Sequence, residues 1–150
     1  LQDLGLHLPK PTQLPERLHL PFSFINTIGD RALFSGHPKN NAYGSIGGPF
    51  GVVGRDLTTA QAYEDARAIA LTVLDNLRAE IGELSRIKAW VRVFGMVTSD
   101  EAYKEQHLVI NGFSEVSASS GRPVAWARSS TSSPRRTPTR RGPPSTEKTP

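Results

Sequence analysis

The apolar positions change period along the chain, and the changes mark its elements. Ala62, Ala66, Ile69, Ala70, Val73, Leu77 and Ile81 fall on one face of a 3.6-residue repeat, while Glu64, Arg67, Asp75 and Arg78 lie elsewhere. Thr58 and Gln61 have the spacing of a capping box just before this helix, and Gly82 stands where it would end. The segment RIKAWVRVFGMV (86–97) is rich in β-branched and aromatic residues with charges at 86, 88 and 92, which predicts a strand with one buried face. Thr98, Ser99 and Asp100 then supply a helix start, and Ala102, Gln106, Val109, Phe113 and Val116 share one side of a second, less regular helix.

Upstream the pattern is shorter in range. FSFINTIGDRALFSG (22–36) holds two brief apolar runs around Gly29 and Asp30, a tight-turn signal that predicts a hairpin. Residues 37–50 are loop by composition, and GVVG (51–54) suits a short edge strand. Four prolines at 9, 11, 15 and 21 each remove a backbone donor and fix φ, so residues 1–21 form an irregular arm. The expected order is hairpin, long helix, strand, helix.

Composition narrows the class. At 150 residues and 37% apolar content the chain suits one core, and the absence of cysteine excludes disulfides and thiol catalysis. It has no run of eighteen apolar residues, and its first segment is too rich in proline and charge for a signal peptide, so a soluble cytoplasmic protein is expected. Leu1 in place of methionine reads as a missing or processed start.

The net charge of +4 points to nucleic acid only until it is divided. Residues 117–150 hold six Arg, one Lys and one Glu, a charge of +6, which leaves the first 116 residues at −2. A slightly acidic body has no broad positive field for tracking phosphates. The last 34 residues contain eight Ser, five Thr, six Pro and six Arg but no Leu, Ile or Phe, too little apolar surface to offset ordering entropy. A domain at 1–116, with an extension to 130 open, followed by a disordered tail at 117–150, is the expected organisation.

The combination of LFSGH (33–37), the run from VGRDLTT (53–59) to VFGMV (93–97), and VINGFSEV (109–116) resembles the Rid/YjgF family of reactive-intermediate deaminases. The resemblance spans roughly residues 1–116 and implies an α+β fold, a small sheet covered on one face by two helices, chorismate-mutase-like in outline. It also implies homotrimers with ligand clefts between subunits and hydrolysis of 2-imino or enamine acids to 2-keto acids and ammonia. Such a reaction needs a cation for the substrate carboxylate, a polarised water and a dry cleft.

The resemblance assigns the carboxylate to Arg128 in WARSS, where a planar guanidinium offers two parallel hydrogen bonds. It places the backbone of Ser35 and Gly36 beside ligand or water, and Asn111 and the ring of Phe22 at the cleft, Phe22 standing where the family has a tyrosine. His37 follows Ser35 and Gly36 where glutamine is common. From the residues alone, His37 reads either as a solvent-facing turn residue or as a proton carrier. The acidic residue of the family's final strand has no match, since Glu147 lies among PPSTEKTP, and Ser/Pro/Arg sequence occupies the place of the last two strands.

Other chemistries are weaker. His7, His19 and His107 show no paired spacing for a metal, and no cofactor is expected. GSIGGPFGVVG (44–54) lacks the GK[ST] ending of a phosphate loop. Two alternatives to the deaminase stay open: a noncatalytic protein of the same fold that binds a small carboxylate, and an RNA-associated protein acting through its basic tail. An abrupt change to Arg, Pro, Ser and Thr is also what a slipped reading frame yields in a GC-rich gene. Translating the alternative frames downstream of codon 116 is expected to expose a pair of alternating apolar strands; two frames without one would remove that explanation.

Overall fold

The computed structural model describes residues 7–14, 16–18 and 20–120. Arg128 and residues 121–150 of the expected tail lie outside the described residues, whereas residues 117–119, expected to begin the tail, are helical. Two helices carry the architecture, α1 (Thr59–Ile81) and α2 (Gln106–Ser119), with a two-stranded antiparallel sheet, β1 (Ile25–Ile28) and β2 (Arg31–Phe34), beside them. This is an α+β arrangement, as expected.

The hairpin forms where its turn residues put it. Ile28 pairs with Arg31 and Ile25 with Phe34 across the two-residue Gly29–Asp30 connection. Gly29 has φ 60° and Asp30 does not share the positive φ, the pattern of a type II′ turn, for which glycine at the first central position is suited. Ile25 is buried, whereas Ile28 and Leu33 are exposed.

Helix α1 begins with the capping box its sequence predicts. The Gln61 N–H donates to Thr58 Oγ1 at 3.2 Å and the Thr58 N–H donates to Gln61 Oε1 at 2.9 Å, which satisfies two otherwise orphaned donors. The helix ends at Gly82, whose N–H donates to the Arg78 carbonyl at φ 85°. Its small residues then decide the packing. Ala62, Ala66 and Ala70 are buried at intervals of four, so one stripe is shallow enough for α2 to approach closely. At that crossing Gly112 lies against the Tyr63 carbonyl oxygen, and a Cβ there would fall well inside van der Waals contact with it. Tyr63 and Glu115 add a hydrogen bond between the helices, which holds the Tyr63 phenol above its ordinary pKa range. Val53, Ala62, Ala66 and Val109 fill one end of the core, and Ala70, Val73, Leu74, Trp90 and Val116 the other.

The opposite side of α1 corrects the simple amphipathic picture. Asp75, expected off the apolar face, has 0% exposure, one oxygen bonded to Arg78 Nη2 at 2.5 Å and the other without a partner among the described residues. Burial raises its pKa, and the attraction of Arg78 opposes that rise. Beside it, Asp65, Thr72 and Asn76 form a polar row at helical spacing that receives the N-terminal arm and the loop after β2. Thr12 N–H donates to Asn76 Oδ1 at 2.9 Å, Asn40 N–H to Thr72 Oγ1 at 3.1 Å, and Lys39 pairs with Asp65. The polar face is covered by other backbone instead of water.

Three expectations are overturned. Residues 86–97 do not form a strand: Leu84–Arg86 is a single 3-10 turn, and residues 88–97 make no backbone hydrogen bonds among the described residues. β propensity needs a neighbouring ladder, and the hairpin pairs only with itself. Trp90 still anchors the segment in the core, while Val91, Phe94 and Met96 are 81%, 74% and 84% exposed. Helix α2 also starts later than Thr98–Asp100. Asp100 Oδ1 accepts from the Ala102 N–H at 3.0 Å, a side-chain turn that competes with helix, and regular structure begins at Gln106. The expected edge strand at 51–54 is reduced to isolated bridges from Val53 to Leu57 and to Ser99.

The helix crossing gives a direct test. Gly112→Ala is expected to cost about 2–3 kcal/mol, because backbone of α1 must shift to admit the methyl group. Gly36→Ala, which meets nothing within 4 Å, serves as its control. Urea midpoints of the two variants check the difference.

Candidate functional site

The loop leaving β2 closes on the segment entering β1. Ser35 N–H donates to the Phe24 carbonyl at 2.9 Å and Ser35 Oγ donates to the Ser23 carbonyl at 2.8 Å, both extending the hairpin contact by one residue. The Ser35 N–H is therefore already engaged. Gly36 is different. Its N–H has no partner among the described residues, and no heavy atom lies within 4 Å of where a Cβ would stand. The free donor of the Ser35–Gly36 pair therefore belongs to Gly36, on an open flank.

His37 does not face solvent. Its ring lies 5.2 Å from Phe24 and 6.3 Å from Phe34, centroid to centroid, and is partly buried. Nδ1 is 2.8 Å from the Ser35 carbonyl oxygen, which can only accept, so the proton sits on Nδ1. Nε2 is buried and has no hydrogen-bond partner among the described residues. Burial lowers the pKa from its ordinary 6.5, while the bond to Ser35 pulls the other way. The neutral ring thus presents a fixed lone pair from Nε2.

An aromatic row extends on both sides of this imidazole. Phe22 stands edge-to-face against Phe24 at 6.1 Å and is half exposed, which places the expected cleft ring at the outer rim. Phe34 stacks obliquely on Trp90 at 6.0 Å, and Trp90 meets Phe113 of α2 edge-on at 6.2 Å. Trp90 is 7% exposed, yet its indole N–H has no partner among the described residues. Buried indole donors ordinarily find an acceptor. Phe34 thus touches two rings, each with a buried polar nitrogen unpaired, one an acceptor and one a donor.

Asn111 lies apart from this row. It is exposed on α2, two positions and about 200° around the helix from Phe113. Arg128 lies outside the described residues. Sequence reasoning missed Trp90, Phe24 and Phe34; the available signal was a tryptophan inside an apolar run, which carries a donor that burial must satisfy.

A separate open pocket of about 520 Å³ is lined by Val52, Arg55 and Thr98–Ala102 and shares no residue with the His37 row. Its cation is engaged, Arg55 being bonded to Asp56 at 2.9 Å, which lowers the Asp56 pKa. Among the described residues no three His, Asp or Glu side chains cluster as metal ligands, and no helix is long and apolar enough to cross a membrane.

The chain is 35% identical over 117 residues to protein TCP17 of Trypanosoma cruzi, covering 77% of this chain and 69% of that one. Among crystal structures it is similar to Atu1372, a protein of unknown function from Agrobacterium tumefaciens. The TM-score is 0.68 at 30% identity, over 82% of this chain and 73% of the other. It also shares its fold with a proposed endoribonuclease from Shewanella oneidensis, with TM-score 0.67 and 24% identity over 77% and 72% of the two chains. No family model matches the chain.

The lowered pKa of His37 has a signed consequence. Above pH 6.5 the ring is neutral in both folded and unfolded chain and its contribution to stability is constant. As pH falls below 6.5 the unfolded chain takes up the proton first, so stability drops until the lower folded-state pKa is passed and then levels off. Denaturant midpoints measured from pH 8 to pH 5 are expected to show this loss in the natural chain and a smaller one in His37→Asn.

Proposed function

We propose, for a chain that belongs to the family of Trypanosoma cruzi protein TCP17, a Rid/YjgF-like function: hydrolytic deamination of small 2-imino and enamine acids to 2-keto acids and ammonia. The observation that supports it best is the pair of buried, unpartnered polar atoms, His37 Nε2 and Trp90 Nε1, on rings that both touch Phe34. An apolar wall with a few polar atoms of fixed direction is the usual make-up of a small-molecule site. The Gly36 N–H, free on an open flank, supplies a further donor for ligand or water.

In this reading Phe22 closes the rim, Arg128 holds the substrate carboxylate, and Asn111 shapes the cleft from a neighbouring copy in a homotrimer. The carboxylate needs a cation from elsewhere, because Lys39, the nearest in sequence to His37, is paired with Asp65. Water exclusion by the aromatic row strengthens whatever hydrogen bonds the site makes to developing charge.

The test uses 2-iminopropionate generated in situ from alanine by an amino-acid oxidase. The full chain is expected to accelerate ammonia release, and Arg128→Ala to lower kcat/KM by about 30-fold or more, as loss of a charge-assisted carboxylate contact of about 2 kcal/mol would. Binding of pyruvate without ammonia release would instead favour the noncatalytic binder. Salt-sensitive RNA binding lost on truncation after residue 120 would favour the tail.

A further inference from the structure

We infer that His37 Nε2 is the general base that takes the proton from the hydrolytic water. The inference rests on the deaminase reading above.

Three features of the ring serve that task. The bond from Nδ1–H to the Ser35 carbonyl, 2.8 Å, fixes the tautomer and leaves the lone pair on Nε2. Phe24 and Phe34 pack against the ring, and Nε2 lies among apolar surroundings with no hydrogen-bond partner among the described residues. Gly36 leaves one side of the loop open and carries an unpartnered N–H one residue away, able to orient a water or an imine nitrogen. A histidine serving only as packing would gain more stability by satisfying Nε2, since an unmade buried hydrogen bond costs about 1–3 kcal/mol.

The chemistry balances without a co-reactant. Water oxygen bonds to the iminium carbon as one water proton passes to Nε2, and the C=N π pair moves onto nitrogen, giving a carbinolamine and a protonated His37. The imidazolium then returns that proton to the amine nitrogen. The C–N bond breaks with its electrons on ammonia, the hydroxyl oxygen forms the keto C=O, and its proton leaves with ammonia as ammonium. An iminium ion and water thus become a keto acid and ammonium, with the imidazole restored.

Among the described residues no charged neighbour competes for this ring. The side chains facing it, Phe24 and Phe34, are uncharged, and the Lys39–Asp65 pair two residues on is closed upon itself. Burial keeps the ring in its basic form at neutral pH.

The decisive variant is His37→Asn, whose side-chain amide can still donate to the Ser35 carbonyl while no atom replaces Nε2. Steady-state ammonia release from in situ 2-iminopropionate is measured for the full natural chain, for His37→Asn, and for His37→Ala with and without added imidazole. The expected result is a fall in kcat of about 100-fold or more in His37→Asn with KM within about threefold, and partial recovery of His37→Ala by imidazole. A His37→Asn enzyme within about threefold of the natural kcat, or one impaired only through KM, overturns the assignment while leaving the deaminase reading intact. A natural chain that releases no ammonia overturns the deaminase reading and the base with it. Where His37→Ala is too unstable to assay, the kcat of His37→Asn decides.

Discussion

The hydrogen bond from the Asn40 N–H to the Thr72 hydroxyl, buried on the polar side of α1, is the contact on which the candidate site depends. Thr72 Oγ1 in turn donates to the Ala68 carbonyl one turn back, so both roles of the hydroxyl are used. The Asn40 side chain donates to Thr12 Oγ1 at 2.8 Å, and Thr12 is itself held by Asn76. This cluster fixes the chain three residues after His37, and the Ser35–Phe24 bond fixes it two residues before. Between those two clamps the loop has little freedom, and the imidazole is delivered to the aromatic row. Loop residues can bear chemistry only when a rigid scaffold holds them this way.

The sequence made α1 legible because the signals for it are local. The Thr58–Gln61 box, the alanine stripe and Gly82 each act within a turn or two, and each does in the structure what its pattern implies. The Gly29–Asp30 hairpin was legible for the same reason. Residues 86–97 were not, because a strand is defined by its neighbours: Val91, Val93 and Phe94 favour an extended backbone, yet nothing in the segment itself states whether a ladder partner exists beside it. Asp75 failed differently. A charge at a helical position reads as solvent-facing until a distant segment covers it, and here the arm and the loop after β2 lie on that polar side.

The site was legible in part. Ser35, Gly36 and His37 stand out in LFSGH, and Phe22 through its match to the family's tyrosine position; the structure brings all four to one end of the aromatic row. Their roles could not be read from the string. Which of two adjacent N–H groups is free depends on the Phe24 carbonyl, and whether an imidazole faces water depends on two phenylalanines whose spacing only the hairpin register sets. Trp90 was unforeseeable as a site residue because its indole meets Phe34 and Phe113 across 56 and 23 residues of chain.

The polarity of the site constrains what it can bind. The rings around His37 bring no charge, and the nearest cation in sequence, Lys39, is held by Asp65. A carboxylate placed against this row without a cation would be stripped of water and left unpaired, a cost of several kcal/mol. The row instead suits the neutral or cationic end of a substrate, a C=N group or its carbonyl product, which can meet the lone pair of Nε2 and the indole N–H of Trp90. On the proposed reading, a substrate bearing both a carboxylate and an imine would lie with its two ends in different surroundings, the imine against Phe34 and the acid away from the uncharged row. The two proposed roles are therefore separable by experiment, because loss of Arg128 would act on ligand capture and loss of His37 on proton transfer.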